Sequence, residues 1–531
     1  MPVLAGWLTG EQVTSEIIDQ TLLAMGEVLG RYGGMPARNV QAGAGLITYA
    51  DAAYAMPHSS EPPVLDWVPD RRTLVYRRPL SGMHPLYFIE NWPAEGNLLF
   101  ASEVKALFAV GVPRRLHLPA LNALLRYGFI PAPWTIFKDV QVVPAGSILR
   151  WQRAKTVVNH ATDFRFNATT PAQNDSEHFA TLFRDACAAQ LPTHEHLVAL
   201  ASGSHASTLA TLFTAQQTAI SFPVASFSYR KTLNAKAWTD AQRLADACER
   251  SFLAVVGIDE PNFWPTVLTT LESPAVDTRS LALHQLLHMV AAETDARVAI
   301  SGLGASTFFS PPRPASLSSS TDIEPDAILH WYGNLVTPRS GQQKTPLWSP
   351  DAAQSLKQAE SWEDTLHARK LARQAVKFTD IRQRAFYLDL HLRLPDLLVG
   401  PLNQLGTQEH LVVRSPYLTP SITEYLLQLV TADEETRDSL LAHLVQRSIP
   451  DAPLKPTKLP LALPTKSFAD IDSSDLLQQI LAPAAIQEAN IFALDAVEAL
   501  LKKASGKTVP RELLLVFTTQ LLYHLFSLEG C

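Results

Sequence analysis

Two short segments place hydroxyls and glycines where an apolar, strand-like run gives way to helical spacing. The first is Ser202-Gly203-Ser204-His205-Ala206-Ser207-Thr208, after the run 196–201, and the second is Ser301-Gly302-Leu303-Gly304-Ala305, after the run 296–301. At such a junction the first N–H groups of a helix lack partners within it, and glycine lets the backbone approach an anion closely. Ser202, Ser207 and Thr208, at the start of the first helix, are therefore candidates for holding an anion through backbone amides. Weak binding of an anion or a nucleotide is one use of them. Capping of a helix by the same hydroxyls is the other, and it needs no ligand.

Other reactive side chains are sparse. His194 and His196 share a strand face at period two, and His205 lies in the following loop, but the sequence shows no fourth ligand, so no metal site is expected. Glu272 and Asp277 read as carboxylates that cap a loop, and Lys458 as an exposed loop lysine. The three cysteines, Cys187, Cys248 and Cys531, have no paired spacing. They build neither a disulfide framework nor a Cys-x-x-Cys metal site, and a reducing, cytoplasmic compartment fits them.

The elements that must position these residues fall into two patterns. Val3-Leu4-Ala5-Gly6 reads as a buried strand, and Thr9 with Gln12 as a capping box for a helix carrying Val13, Ile17, Leu22, Met25 and Leu29, ended by Gly33-Gly34. Runs at 74–76, 86–89 and 97–100 alternate with turn residues and predict an antiparallel sheet, followed by a helix over 121–127. The pattern changes near residue 165. After a polar linker, 167–175, helices at 176–189, from 207 and at 239–247 alternate with strands at 196–201, 223–228, 252–256 and 296–301. That alternation predicts a parallel sheet wrapped by helices. Residues 310–325 read as an exposed loop, the remainder as mostly helical with a Pro-rich segment at 449–464, and no internal repeat is visible.

Composition narrows the function classes. With 47% hydrophobic and 18% charged residues in 531, the chain is globular rather than disordered. A net charge of −7 with scattered basic residues gives no electrostatic case for nucleic acid or an anionic membrane. The N-terminus has no basic region leading into an apolar run, so no signal peptide is expected. The late apolar stretch 513–528 is too short for a bilayer and reads as a packed C-terminal helix. Glycine numbers only 23, below the ~7% typical of proteins, a thin supply for phosphate-cradling loops.

Three stretches in the same order resemble the glutamine-hydrolysing asparagine synthetase family. The first runs through Gly82-Met83-His84-Pro85-Leu86-Tyr87-Phe88, Ala101-Ser102-Glu103-Val104-Lys105-Ala106-Leu107, Tyr127-Gly128-Phe129-Ile130-Pro131 and Val143-Pro144-Ala145-Gly146. The second links Glu272-Ser273-Pro274 and Asp277 to Ser301-Gly302-Leu303-Gly304-Ala305, and the third is Leu411-Val412-Val413-Arg414-Ser415-Pro416-Tyr417-Leu418-Thr419. The resemblance implies a two-domain α/β protein. Residues 1–165 would form an abbreviated, antiparallel glutaminase-like domain of the N-terminal-nucleophile type. Residues 166–531 would form an ATP-pyrophosphatase-like parallel sheet with helices and a helical C-terminal part.

The same resemblance implies that the chemistry is gone. Family enzymes begin Met-Cys-Gly and use the cysteine thiolate against glutamine, whereas Pro2 stands here, and the segment 35–73 carries none of the family's glutamine-binding stretches. The family's pyrophosphate loop reads Ser-Gly-Gly-x-Asp-Ser-Ser; here Ser204 replaces the second glycine and Ala206 the aspartate, so the resemblance leaves Ser202, Gly203, Ser204, Ser207 and Thr208, with Ser301, Gly302 and Gly304 of the companion segment, as a vestigial nucleotide loop. In the companion segment Leu303, Ser306 and Thr307 replace three acids, while Val412, Thr419 and Asn403 stand at further acidic positions. Mg²⁺ needs carboxylate or phosphate oxygens. The expectation is a pseudoenzyme with no catalytic residue, no metal and no ATP or Mg²⁺ cofactor. It would act as a binding, scaffold or regulatory subunit with a protein partner, or as a homodimer. The alternative is an ATP-dependent amide ligase fed by ammonia or an amine through an altered nucleotide site.

Overall fold

The computed structural model describes the chain except residues 1–2, 12, 33–34, 50–63, 161–175, 194–195, 231–234, 259–260, 311–322, 338–345, 430–433, 451–474, 505–508 and 530–531. Strands β1 (Val3–Leu8), β2 (Pro36–Gln41), β3 (Ala44–Tyr49), β4 (Val64–Val68), β5 (Thr73–Arg77), β6 (Tyr87–Glu90), β7 (Leu98–Ala101), β8 (Gln141–Val142), β9 (Ser147–Gln152) and β10 (Lys155–His160) build the N-terminal part. They form two antiparallel sheets, ordered β2-β3-β1-β7-β6-β8 and β10-β9-β5-β4. β1 lies inside the larger sheet, and its alternation sorts its side chains. Leu4 and Leu8 face the smaller sheet with Leu74, Tyr76, Leu149 and Trp151, while Ala5 and Trp7 face the helix Ser15–Leu29 through Ile18, Leu22 and Met25. The outer face of the smaller sheet presents Arg77, Arg150, Gln152, Lys155 and Asn159 to solvent.

The helix Ser15–Leu29 starts later than the Thr9/Gln12 capping box predicts. Its N-cap is Thr14, whose side chain accepts the N–H of Ile17. The Thr9 hydroxyl instead donates to the carbonyls of Glu11 and Gly43, tying the end of β1 to the turn before β3. A long-range acceptor has outcompeted the local cap. The Gly33-Gly34 stop lies outside the described residues.

The second half holds β11 (His196–Leu200), β12 (Val224–Tyr229), β13 (Phe252–Gly257), β14 (Ala296–Ser301) and β15 (Val412–Arg414), in the parallel order β13-β12-β11-β14-β15. Helices Ala235–Ala247 and Arg279–Glu293 lie in the crossovers between them. Both faces of the sheet are buried. Val198, Leu200, Phe227 and Val413 belong to a core that runs on into the N-terminal part, and Leu197, Ala199, Val298 and Ile300 to a second core on the other face. The linker expected at 167–175 and the boundary at 165 fall in undescribed residues. The late apolar stretch is the helix Arg511–Phe526, buried from Leu513 to Leu522 and packed within the first core. Among the described residues no helix is long and apolar enough to cross a membrane.

Candidate functional site

β11 pairs with β12 on one side and β14 on the other, so the chain leaves the sheet in opposite directions on either side of it. This is the switch point at which parallel α/β sheets open a crevice beyond their strand ends. The register sets Leu200 beside Ser301, and the loops following these residues meet there.

The first loop turns at Gly203, whose φ of +75° lies in the left-handed region that favours glycine. The helix His205–Gln217 then begins, with Ser204 as N-cap accepting the Ser207 N–H at 3.2 Å. Ser207 is the hub of the loop. Its Oγ accepts the Ser202 N–H at 3.1 Å, donates to the Ser204 carbonyl at 3.0 Å, and lies 3.2 Å from the hydroxyls of Ser202 and of Ser204. The Thr208 N–H is taken by the Ser204 carbonyl at 3.0 Å. The loop's hydroxyls and two of its N–H groups thus satisfy one another.

The second loop presses on the first. A Cβ at Gly302 would meet the Ser207 nitrogen at 2.9 Å, so only glycine fits there. Ser301 is buried and its Oγ accepts the Leu303 N–H at 3.2 Å; Gly304, with φ +83°, precedes the short helix Ala305–Phe309. Leu303 packs against both cores of the sheet, and Ala206 against the second. Thr307 is fully buried, and its Oγ1 has no hydrogen-bond partner. The segment 415–418 closes over both loops: the Ser415 hydroxyl donates to the Leu303 carbonyl at 2.6 Å and the Tyr417 hydroxyl to the Ala206 carbonyl at 3.1 Å. The structure brings the two segments together: Ser202, Gly203 and Ser204 form the first loop, Ser207 and Thr208 the first turn of the helix after it, Ser301 ends β14, and Gly302 and Gly304 lie in the turn that follows. Tyr417, Ser415 and the strand β15 before them were visible only as part of a family-like segment.

The other candidates divide. His205 opens the helix, His196 lies on β11, and His194 and Lys458 are outside the described residues. Among the described residues no group of three or more His, Cys, Asp or Glu side chains is placed to hold a metal ion. Asp277 accepts the Arg279 N–H at 2.9 Å and pairs with its guanidinium, capping its own loop. Glu272 reaches further. Its carboxylate accepts the N–H groups of Val104 and Lys105 at 2.8 and 2.7 Å, at the start of the helix Val104–Phe108. Burial pushes its carboxyl up, while Lys105 pulls it back. Glu103 in turn pairs with Arg31 at 2.7 Å, and Ser102 is bonded to both backbone groups of Leu4.

Beside Glu272 lies a cavity of about 130 Å³ between the two halves, walled by Arg78, Tyr87, Asp396 and Gln404. Asp396 accepts the Ala132 N–H at 2.9 Å, and burial pushes its carboxyl up to about 6, against the pull of Arg78. Arg78 donates to the carbonyls of Gly82 and Val143, and the Gln404 amide donates to the Tyr87 hydroxyl. The sequence reading missed this junction entirely.

An antiparallel sandwich joined to a parallel sheet with a glycine-serine loop at its switch point defines a two-domain protein of the glutaminase–pyrophosphatase class. Residues 178–524 match the asparagine synthase family model, and residues 65–162 match the glutamine amidotransferase domain model. The first match covers more than half of the chain, which belongs to the asparagine synthase family. No curated protein matches it.

Proposed function

We propose that this family member is non-catalytic and acts by binding, as a scaffold or regulatory subunit in the cytoplasm. The observation that carries this reading is the packing of Ala206 and Leu303. At two positions where the resemblance places metal-binding acids, this chain has apolar side chains set against its cores. Neither loop contains a carboxylate, and serine hydroxyls engaged with one another are poor ligands for a hard, strongly hydrated cation. Mg²⁺-ATP does not fit that donor set. In the glutaminase-like half, taken as 1–165, Glu103 and Lys105 join Glu272 in an ion-pair cluster that links the halves. Burial pushes the Cys248 thiol up to about 11, in keeping with an inert structural role in a reducing compartment.

The test is ATP–pyrophosphate exchange with Mg²⁺ and aspartate, run beside glutamate release from glutamine. No turnover above a heat-treated control is expected in either assay. Exchange at the rate of an active ligase rejects the proposal and leaves an ammonia-fed amide ligase as the function.

A further inference from the structure

A cavity of about 880 Å³ opens between the N-terminal sandwich and the helices Pro350–Gln358 and Leu366–Ala375. None of the residues of the two switch-point loops lines it. Its wall comes from stretches far apart in the chain: 115–119, 133–147, 158–160, 355–370 and Glu529. Its volume lies in the range that encloses a small organic ligand, and a junction between halves of a chain is where such sites commonly occur.

The charges and the neutral groups of this wall are separated. Every Asp, Glu, Lys and Arg in the lining is exposed, and Arg115 and Asp139 pair at 2.6 Å. The rim is thus solvated and mixed in sign. Deeper lie Ser147, Trp134 and two histidines, His117 and His367, whose charged form burial disfavours. His117 is half-buried, and its Nδ1 lies 3.2 Å from the Thr135 carbonyl, which can only accept. Nδ1 therefore carries the proton and Nε2 is left as an acceptor. Burial lowers the basicity of His117, and His367 is held down at about 3 by burial and then by His160, His391 and Lys370. Ser147 is 1% exposed, and its Oγ has no hydrogen-bond partner. The Trp134 ring meets that of His117 at 4.7 Å between centroids, inclined by 62°. Leu116, Val158 and prolines complete the wall.

An ion drawn into this interior would lose its hydration, while every ammonium, guanidinium and carboxylate of the wall stays at the exposed rim. A flat uncharged ring loses little on entry, stacks on aromatic neighbours, and meets a free acceptor at His117 Nε2. We propose that this cavity binds an uncharged, planar heteroaromatic small molecule, held by Trp134 and His117. The proposal goes beyond the non-catalytic reading and does not depend on it.

Ligand-observed NMR on the full chain tests it with two matched pairs: nicotinamide against nicotinate, and indole against tryptamine. Saturable binding of the neutral members is expected, with each charged partner about tenfold weaker or more. His117→Phe removes the Nε2 acceptor and should weaken both neutral probes, since each carries an N–H that can donate to it. Val158→Trp fills the cavity and should abolish both; should that variant fail to fold, Trp134→Ala serves in its place. Equal binding within the pairs overturns the proposal. So does binding that survives these substitutions in folded protein, or the absence of saturable binding by any probe.

Discussion

Glu272 accepts the backbone N–H of Lys105 at 2.7 Å although 167 residues separate them in the chain. The same carboxylate takes the Val104 N–H, and the Lys105 ammonium reaches back to the Thr269 carbonyl at 2.5 Å. Glu103, the N-cap residue, makes no side-chain cap. The parallel-sheet half therefore supplies the cap that a helix of the sandwich does not have.

Removing that carboxylate leaves the first two N–H groups of the helix without acceptors, while Lys105 keeps Glu103 and the Thr269 carbonyl. Glu272→Ala should cost about 2–4 kcal/mol, mostly for the unsatisfied N–H groups. Glu272→Gln keeps one acceptor oxygen and should cost about 1–2 kcal/mol. Urea unfolding of the variants checks both values. Equal stability of wild type and Glu272→Ala would show that the contact is idle.

Asp396 supplies a pH dependence whose sign follows from its environment. Burial raises its folded value to about 6, above the ordinary 3.8, so the folded state holds the proton more tightly than the unfolded chain does. This group's contribution is most favourable below about pH 4, and stability is lost as pH rises towards 6, by about 3 kcal/mol over those two units. Asp396→Asn retains an oxygen for the Ala132 N–H and removes the charge. Its Tm should exceed that of the wild type at pH 7.5, with the difference vanishing near pH 4. A lower Tm at pH 7.5 contradicts this account.

Both features explain what a reader of the sequence could and could not see. Strands 196–200 and 296–301 announce themselves through the buried apolar runs 197–200 and 298–300, and 224–229 is buried throughout although it carries Ser226 and Ser228. The two loops were legible because their glycines and serines stand directly after such runs. The hairpin of β9 and β10 went unread: Lys155–His160 is at most half-buried and mixes polar with apolar residues, so periodicity is faint. β15 is only three residues long and exists through its pairing with β14. The Thr9 cap was misplaced because a carbonyl 34 residues away accepts its hydroxyl. Asp396 and Glu272 owe their roles to partners on the other half, which no local pattern encodes.

Thr307 stands inside the short helix after β14, fully buried with an unpartnered Oγ1. A buried hydroxyl without a partner costs about 1–3 kcal/mol relative to one that is satisfied. Thr307→Val has nearly the same shape and removes the oxygen, so it should raise stability by about 1 kcal/mol. Thermal unfolding measures it. A Tm below that of the wild type means that the hydroxyl is in use, as a ligand-binding group or through a bound water.

Ser204 and Ser207 separate the two uses of the switch-point loop. Ser204→Ala deletes an N-cap and should cost about 1 kcal/mol. Ser207→Ala costs more, about 1–2 kcal/mol, because the Ser202 N–H loses its acceptor along with the hub of three hydroxyls. If these groups serve only the fold, Mg²⁺-ATP leaves the Tm of the wild type and of both variants where it was. A loop that grips nucleotide behaves otherwise. There, saturating Mg²⁺-ATP raises the wild-type Tm by mass action, and Ser207→Ala loses that rise along with its intrinsic stability. Paired melts with and without nucleotide thus read structure and binding from the same two residues, and a nucleotide-dependent shift would reopen the question of catalysis at this site.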